Sequence, residues 1–507
     1  MSNTPAAVRP QLSYRDDPSV LTALRSPRLL TREALAGLVV AMALIPEAIA
    51  FSIIAGVDPR LGLFSSFVMA VSIAFLGGRP AMITAATGAI ALVIAPVARE
   101  YGVDYLIATV ILGGVLQVLM GLLGVAKLMR FIPRSVMVGF VNALAVLIFT
   151  SQLPYLVDVP PVVYALVAAG LVIMVVMPRF TRVVPAPLVA IVVLTLVTVG
   201  LGMVVPTVGD QGDLPKSLPE LLIPDVPFTT ETLIIIAPFA LAMAVVGLLE
   251  SLLTAKLVDD ITDTRSRKTR EALGQGAANV LSGLFGGMGG CAMIGQTLIN
   301  VKASGARTRI STFLAGVFLL VLVVGLGDIV AVIPMAALVA VMVIVAVGTF
   351  DWHSVRLSTL KAMPKSETTV MVTTVVIVVL THNLATGVVA GVIMAMVLFA
   401  RRVAHFVTVT RTVDEDEAVP TAHYRVDGEL FFASSNDLTT QFDYADDPAR
   451  VIIDMAGSHI WDASTVAALD AIQNKYAHHG KRVVIVGMNE ATTELHLRLT
   501  GKSGDGH

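Results

Sequence analysis

Two carboxylates stand inside apolar runs, where ionisable groups are rare. Glu47 lies in Leu44-Ile45-Pro46-Glu47-Ala48-Ile49-Ala50-Phe51, within an apolar stretch from about Leu35 to Ile54. Glu250 lies in Leu248-Leu249-Glu250-Ser251-Leu252-Leu253-Thr254, with Thr254 one turn on and on the same helical face. A carboxylate in hydrocarbon costs several kcal/mol unless it faces a polar cavity or a partner, so each acid marks a candidate site. Two carboxyls near a bound anion make a proton-coupling device, because one must gain a proton as the anion arrives. The alternative chemistry is Na+ held by Glu250, Thr254 and backbone carbonyls as hard oxygen ligands. A third use for such an acid is a neutral, hydrogen-bonded Glu that only ties helices together.

Each acid precedes a small-residue segment by roughly forty residues. After Glu47 come Gly77-Gly78 and then Ala85-Ala86-Thr87-Gly88-Ala89; after Glu250 come Gly286-Gly287, Gly289-Gly290 and then Cys291-Ala292-Met293-Ile294-Gly295. Corresponding Gly-interrupted segments in two halves point to a transport site between broken helices. Helices that begin there aim free N–H groups and positive dipole ends at the gap, and so hold an anion without Arg or Lys. Thr87 adds a hydroxyl donor, and Gly88, Ala89, Ala292 and Gly295 let the ligand approach the backbone. For any single glycine, ordinary small-residue helix packing explains as much.

The elements that must carry these groups are membrane helices. The 507 residues are 56% hydrophobic and 14% charged, against about 25% charged in soluble domains. About fourteen apolar segments follow one another between Thr31 and Val403, centred near Ala43, Met69, Leu92, Val115, Ala143, Val167, Leu194, Ala242, Val280, Leu298, Phe318, Val341, Val375 and Met394. Some are shorter than the ~20 residues of a full span. With the N-terminus inside, Arg79, the Lys127–Arg134 and Arg179–Arg182 groups, Arg265–Arg270, Lys302–Arg309, Arg356–Lys365 and Arg401-Arg402 fall inside. Asp158, the acids from Asp210 to Glu231, Asp328 and His382 fall outside. Arg60 and Arg99 are the exceptions, each near an acid, Asp58 or Glu100. The acidic, Pro-rich break at about 203–230 divides two halves of seven spans, and an odd number per half inverts their topology. The expected organisation is therefore a polar tail (1–30), a transmembrane domain (31–404, repeats 31–202 and 231–403), a linker (405–420) and a C-terminal domain (421–507). Both termini are expected on the cytoplasmic side of the cell (inner) membrane.

The first thirty residues are polar and lack a short apolar core, so no cleavable leader is expected. Cys291 is the one cysteine, so no internal disulfide forms. The charged stretch at about 411–417 reads as the linker's centre. Strand-like runs at Tyr424–Phe432, Val451–Met455 and Val483–Val486, with a helical pattern over Ser464–His478, predict a small α/β domain.

These residues resemble the SulP (sulfate permease, solute carrier 26) family of anion transporters. The likeness rests on Ala36-Gly37 with Leu44–Phe51, on Gly56-Val57-Asp58-Pro59 with Gly62-Leu63-Phe64, on Gly276, Asn279 and Ser282-Gly283-Leu284-Phe285-Gly286-Gly287, and on a C-terminal domain similar to STAS domains. It implies an all-α membrane domain of fourteen segments in 7+7 inverted repeats, arranged as core and gate bundles. It also implies an anion site between the third and tenth spans, a homodimer in the bilayer and elevator-like movement of the core. Carried over, the substrate site takes Glu47, Phe51, Thr87, Gly88, Ala89, Ala292, Met293 and Ile294; ion coupling takes Glu47, Glu250 and Thr254. The acid at Glu47 departs from the Gln or apolar residue common in the family and favours coupling to H+; Met293 and Ile294 lack the hydroxyl of some members. The STAS-like domain resembles anti-sigma-factor antagonists, whose phosphorylatable Ser sits in an Asp-x-Ser-Gly turn. Here Asp462-Ala463-Ser464-Thr465 replaces the Gly, leaving Ser464 as a regulatory phosphosite or as a helix N-cap.

The resulting expectation is a proton-coupled symporter of a small anion such as a C4-dicarboxylate (fumarate), sulfate or bicarbonate. The alternatives are an anion exchanger, a Na+-coupled bicarbonate symporter, or an anion channel or electromotile protein on the same fold. No catalytic constellation, metal site, cofactor motif or nucleic-acid signature is present, and no GxxxxGK[ST] pattern supports ATP-driven pumping.

Overall fold

The computed structural model describes residues 19–125, 132–180, 186–404, 407–414 and 419–499. The tail before Ser19, the linker residues 415–418, the residues from 500 onward, and Lys127, Arg130 and Arg182 lie outside the described residues. The chain divides into two compact units, Met1–Val392 and Ile393–His507.

The first unit is helical. Its helices are α1 (Val20–Arg25), α2 (Pro27–Ala55), α3 (Pro59–Leu76), α4 (Gly88–Tyr101), α5 (Val103–Leu122), α6 (Arg134–Thr150), α7 (Pro161–Val176), α8 (Ala186–Gly200), α9 (Thr230–Thr262), α10 (Lys268–Leu284), α11 (Ile294–Leu298), α12 (Arg309–Gly325), α13 (Gly327–Ala331), α14 (Met335–Thr349), α15 (Leu357–Ala362) and α16 (Lys365–Thr381); α17 (Leu384–Ala404) runs across the divide. A π-helical turn, Ile299–Ala303, continues α11. Each of the fourteen expected segment centres falls on one of these helices. Among the described residues, seven helices are long and apolar enough to cross a membrane alone, and three shorter apolar ones accompany them.

Local chemistry sets the breaks. Pro27 and Pro59 open α2 and α3 at positions where a missing N–H costs nothing. Gly56, at φ +77°, closes α2 in the left-handed conformation. Thr229 caps α9 by accepting the Thr232 N–H. Pro46 stands inside α2, which runs through it without interruption. Buried neighbours, Ala43 and Leu44 before it and Glu47 to Phe51 after it, hold the helix together despite the missing amide.

The membrane part is not wholly α. Two short strands, β1 (Thr84–Ala85) and β2 (Cys291–Ala292), pair antiparallel, with Thr84 opposite Ala292 and Ala85 opposite Cys291. They occupy the two small-residue segments, because extended backbone in lipid must find partners in protein.

The helices pack in two groups. Helices α2–α5 pack with α9–α12; α6, α7 and α8 pack with α14, and α6 also with α16. Within the first group α5 and α10 cross at two glycines. A Cβ on Gly114 would lie 2.6 Å from the Gly276 carbonyl oxygen, and one on Gly276 would lie 2.6 Å from that of Gly114. Such close approach is how helices associate where lipid competes for apolar surface. At one end of this group the basic residues are held in place. Arg79 bridges Asp259 (3.1 Å), Thr262 and Thr264. Glu271 accepts the N–H groups of Gly78 and Arg79, and Arg309 donates to the carbonyls of Ala74 and Gly77.

The C-terminal unit carries the four-stranded sheet β3 (Thr408–Asp414), β4 (Thr421–Leu430), β5 (Arg450–Ile460) and β6 (Arg482–Val486), in that spatial order. β3 and β4 are antiparallel; β4–β5 and β5–β6 are parallel. Helices α18 (Phe432–Leu438), α19 (Ala463–His478) and α20 (Glu490–Leu499) complete it. The three expected strands and the helix are present. Residues 408–414, expected as linker, instead form the edge strand β3, which tolerates charge because one side has no neighbour. Phe432, expected at a strand end, begins α18. The unit's core contains a buried carboxylate: Asp447 accepts from Arg411, from Tyr424 Oη (2.7 Å) and from Tyr476 Oη.

Two outcomes follow. Gly276→Val places a branched side chain against the α5 backbone, and overpacking of this kind costs about 1–3 kcal/mol or more. The purified variant should lose its monodisperse gel-filtration peak in detergent, whereas Gly325→Val, at a site with open space around it, should keep it. In the C-terminal unit, burial and then the bond to Asp447 push the Tyr476 phenol above its ordinary value. Its contribution is therefore complete below pH ~10 and is lost as pH rises toward the raised value. Tyr476→Phe should lower amide-exchange protection of β4 and β5 by about 1–3 kcal/mol at pH 8, and the gap to wild type should narrow above pH ~10.

Candidate functional site

A cavity of about 360 Å3 lies between the two helix groups of the first unit. On one side it is lined by Glu47 and Phe51 of α2, Thr87, Gly88 and Ala89 at the start of α4, Glu250 and Leu253 of α9, and Met293 to Gln296 at the start of α11. Phe140, Val141, Leu144 and Ile148 of α6 and Val345, Gly348 and Thr349 of α14 form the opposite wall. Among the described residues its lining has two titratable side chains, Glu47 and Glu250, and no Lys or Arg. No cluster of three or more His, Cys, Asp or Glu side chains suited to a metal occurs among the described residues.

The β1–β2 pairing places the starts of α4 and α11 on the same cavity. Thr87 caps α4, accepting the Ile90 N–H at 3.4 Å. Gly88 leaves room for Phe51, since a Cβ there would lie 2.9 Å from Phe51 Cε1. Gly290 is required by the strand pair, since its Cβ would lie 2.0 Å from the Ala85 carbonyl oxygen. Gly295 differs: a Cβ there meets nothing within 4 Å.

Of the sequence-assigned residues, Glu47, Phe51, Thr87, Gly88, Ala89, Met293, Ile294 and Glu250 line the cavity, whereas Ala292 and Thr254 do not. The Ala292 N–H donates to Ser251 Oγ at 3.1 Å, so it is not a free anion donor. The Met293 N–H is also engaged, by the Ile83 carbonyl. Among the described residues, the N–H groups of Ile294 and Gly295 have no protein acceptor and remain for a ligand. Thr254 is fully buried and donates to the Glu250 carbonyl one turn back, the usual use of a Thr inside a lipid-facing bundle. The Thr87 hydroxyl is not free either, because it pairs with Cys291 Sγ at 3.1 Å. Cys291 in turn donates to Glu250 Oε2 at 3.0 Å and is fully buried behind the cavity wall. In the C-terminal unit, Asp462 rather than Ser464 caps α19, accepting the Thr465 N–H; Ser464 is exposed in the first helical turn.

Gln296 escaped the sequence reading. It lines the cavity together with Glu47. Its signal was present as the one amide in the run Met293–Leu298. The α6 and α14 wall had no comparable signal, being plain apolar residues of long helices.

This geometry suits a small, partly desolvated anion: backbone donors at the start of α11, an aromatic edge, two carboxyl groups and an apolar opposite wall. Comparison with known proteins agrees on the class. The sulfate permease family model matches residues 30–164 and 158–374, and the STAS domain model matches 412–504. YbaR of Bacillus subtilis (strain 168) is 52% identical over 92% of this chain and 96% of its own length. The transmembrane domain of a cyanobacterium bicarbonate transporter, BicA, superposes with a TM-score of 0.64 at 26% identity, covering 72% of this chain and 98% of that one. Murine Slc26a9, an anion transporter in the inward-facing state, shares the fold at 16% identity with a TM-score of 0.78, covering 92% of this chain and 87% of that one.

Filling the cavity tests the assignment. Gly295→Leu adds a side chain into open space, so the melting temperature of the purified protein should stay within a few degrees of wild type. Anion uptake should fall at least tenfold, measured in proteoliposomes. Undiminished uptake would place the anion elsewhere.

Proposed function

This chain belongs to the sulfate permease family of multi-pass membrane anion transporters with a C-terminal STAS domain, and within it we propose that this protein is a proton-coupled symporter of a small anion. The observation that carries this reading is the pair of acids in one cavity. Glu47 and Glu250 share a lining without a basic residue, beside the free N–H groups of Ile294 and Gly295. An anion that enters with both carboxyls ionised meets two negative charges at close range in low dielectric. Loading then requires a proton on one of them, and release of the anion frees that proton on the other side. Bicarbonate, sulfate and C4-dicarboxylates are the candidate cargoes. The bicarbonate transporter named among the similar structures supports the first.

The helices support a 7+7 reading of the membrane domain. Taking β1 with α4 and β2 with α11 as third and tenth segments, the series α2–α8 and α9–α12, α14, α16 and α17 gives seven in each half. The α2–α5 and α9–α12 group is then the core that carries the site, and α6–α8 with α14 and α16 belong to the gate against which it moves. The clustering of Arg79, Arg267, Arg270 and Arg309 at one end of the core supports a cytoplasmic placement of that end, and with it of both termini.

Uptake into proteoliposomes of labelled bicarbonate, sulfate and fumarate, under separate pH and Na+ gradients, decides the coupling. One pH unit should drive up to about tenfold accumulation per proton carried. Glu47→Gln should abolish that accumulation while leaving anion binding detectable by calorimetry. Uptake driven by Na+ alone, or only by counter-anion, would overturn the proton reading in favour of Na+ symport or exchange.

A further inference from the structure

The two acids come from different helices, α2 and α9, yet both lie against one short segment. At its start, Cys291 Sγ donates to Glu250 Oε2 at 3.0 Å, and its other contact is Thr87 Oγ1 at 3.1 Å. Five residues on, Gln296 lines the cavity that the Glu47 carboxyl also lines, within reach of it. Both side chains are buried, Cys291 completely and Gln296 to 4% exposure. We propose that Cys291 and Gln296 are positioning residues for the two acids, Cys291 for Glu250 and Gln296 for Glu47.

The chemistry follows from what each donor can do. A thiol S–H and an amide N–H bind a carboxylate more strongly than they bind the neutral acid. Each therefore senses the charge of its own acid and biases how readily that acid takes up a proton. Neither donor carries charge, so neither holds the anion in place of the proton. Among the described residues, no ionic group is paired with these acids. The charged residues on packed helices are used elsewhere: Arg99 of α4 donates to the Ile54 carbonyl, and Arg309 of α12 to the carbonyls of Ala74 and Gly77. Glu271 of α10 accepts from Gly78, Arg79 and Gln275. On α5, Asp104 accepts the Asp225 N–H. Lys302, in the turn after α11, is exposed. The acids are thus left to their two neutral donors and to each other across the cavity. This assignment rests on the reading of the cavity as a proton-coupled anion site.

Infrared spectroscopy of the full-length protein in nanodiscs tests it without a substrate. The chain has one cysteine, so its S–H stretching band belongs to Cys291 alone. That band should sit at the hydrogen-bonded position and move to the free-thiol position in Glu250→Ala. The carboxyl C=O bands, assigned by their loss in Glu47→Gln and Glu250→Gln, give a titration midpoint for each acid. Cys291→Ala should shift the Glu250 midpoint by about half a pH unit or more, which is the loss of one modest hydrogen bond, and leave that of Glu47 in place. Gln296→Met should do the reverse. Cys291→Ser, which keeps a donor, should restore the Glu250 response. An S–H band unmoved by Glu250→Ala, or midpoints unmoved by both substitutions, would overturn the assignment. If the wild type moves none of the labelled anions, the proposed function fails, and the infrared result still decides whether these residues position the acids.

Discussion

Extended backbone buried in lipid must find a partner for every N–H and C=O, because no water is there to supply one. The segments Thr84–Ala85 and Cys291–Ala292 meet this constraint by pairing with each other, across about two hundred residues of chain. Much of the site descends from that pairing. It needs Gly290 bare, so that the Ala85 carbonyl can approach. It brings the starts of α4 and α11 to one cavity. It also sets Cys291 against Thr87 on one side and Glu250 on the other.

The supporting contacts have the same character. Ser65 Oγ reaches the Gly289 carbonyl, and Asn279 both donates to the Gly290 carbonyl and accepts its N–H. Gln117 of α5 accepts from the Asn279 amide, which ties the glycine loop to the α5–α10 crossing. Neutral side chains thus satisfy the irregular backbone before a ligand arrives. The N–H groups left over belong to Ile294 and Gly295, which line the cavity. The binding capacity of the site is what remains after the scaffold has met its own hydrogen-bond demand.

Much of this was legible in the sequence, for identifiable reasons. Lone acids in apolar runs stand out, and Glu47 and Glu250 both line the cavity. Glycine doublets at matching positions marked the two breaks. Apolar length located the helices, since each expected centre lies on one. What the sequence could not show was which donors are consumed. Nothing local distinguishes the Ala292 N–H, taken by Ser251, from that of Ile294 two residues later. Thr254 shares a helical face with Glu250, but its hydroxyl turns back to the helix. In the C-terminal unit the run Thr408–Val413 alternates Thr with Val409, Arg411 and Val413 in the manner of a strand, but the charges that follow it have the composition of a linker. Asp462 lies two residues before Ser464, and both are good caps; the Thr465 N–H selects the first.

The strand pair also has a consequence in time. A ribosome adds about 5–20 residues per second, so β2 emerges some 10–40 s after β1. During that interval the Thr84–Ala85 backbone has no sheet partner, and α4 begins from a segment with no fixed direction. The first half of the chain therefore cannot reach its final arrangement in the bilayer alone. It must wait beside the insertion machinery, or in a wetter part of the membrane, until its counterpart is made. Biogenesis of this protein then has a waiting step whose length is set by the distance in sequence between two dipeptides.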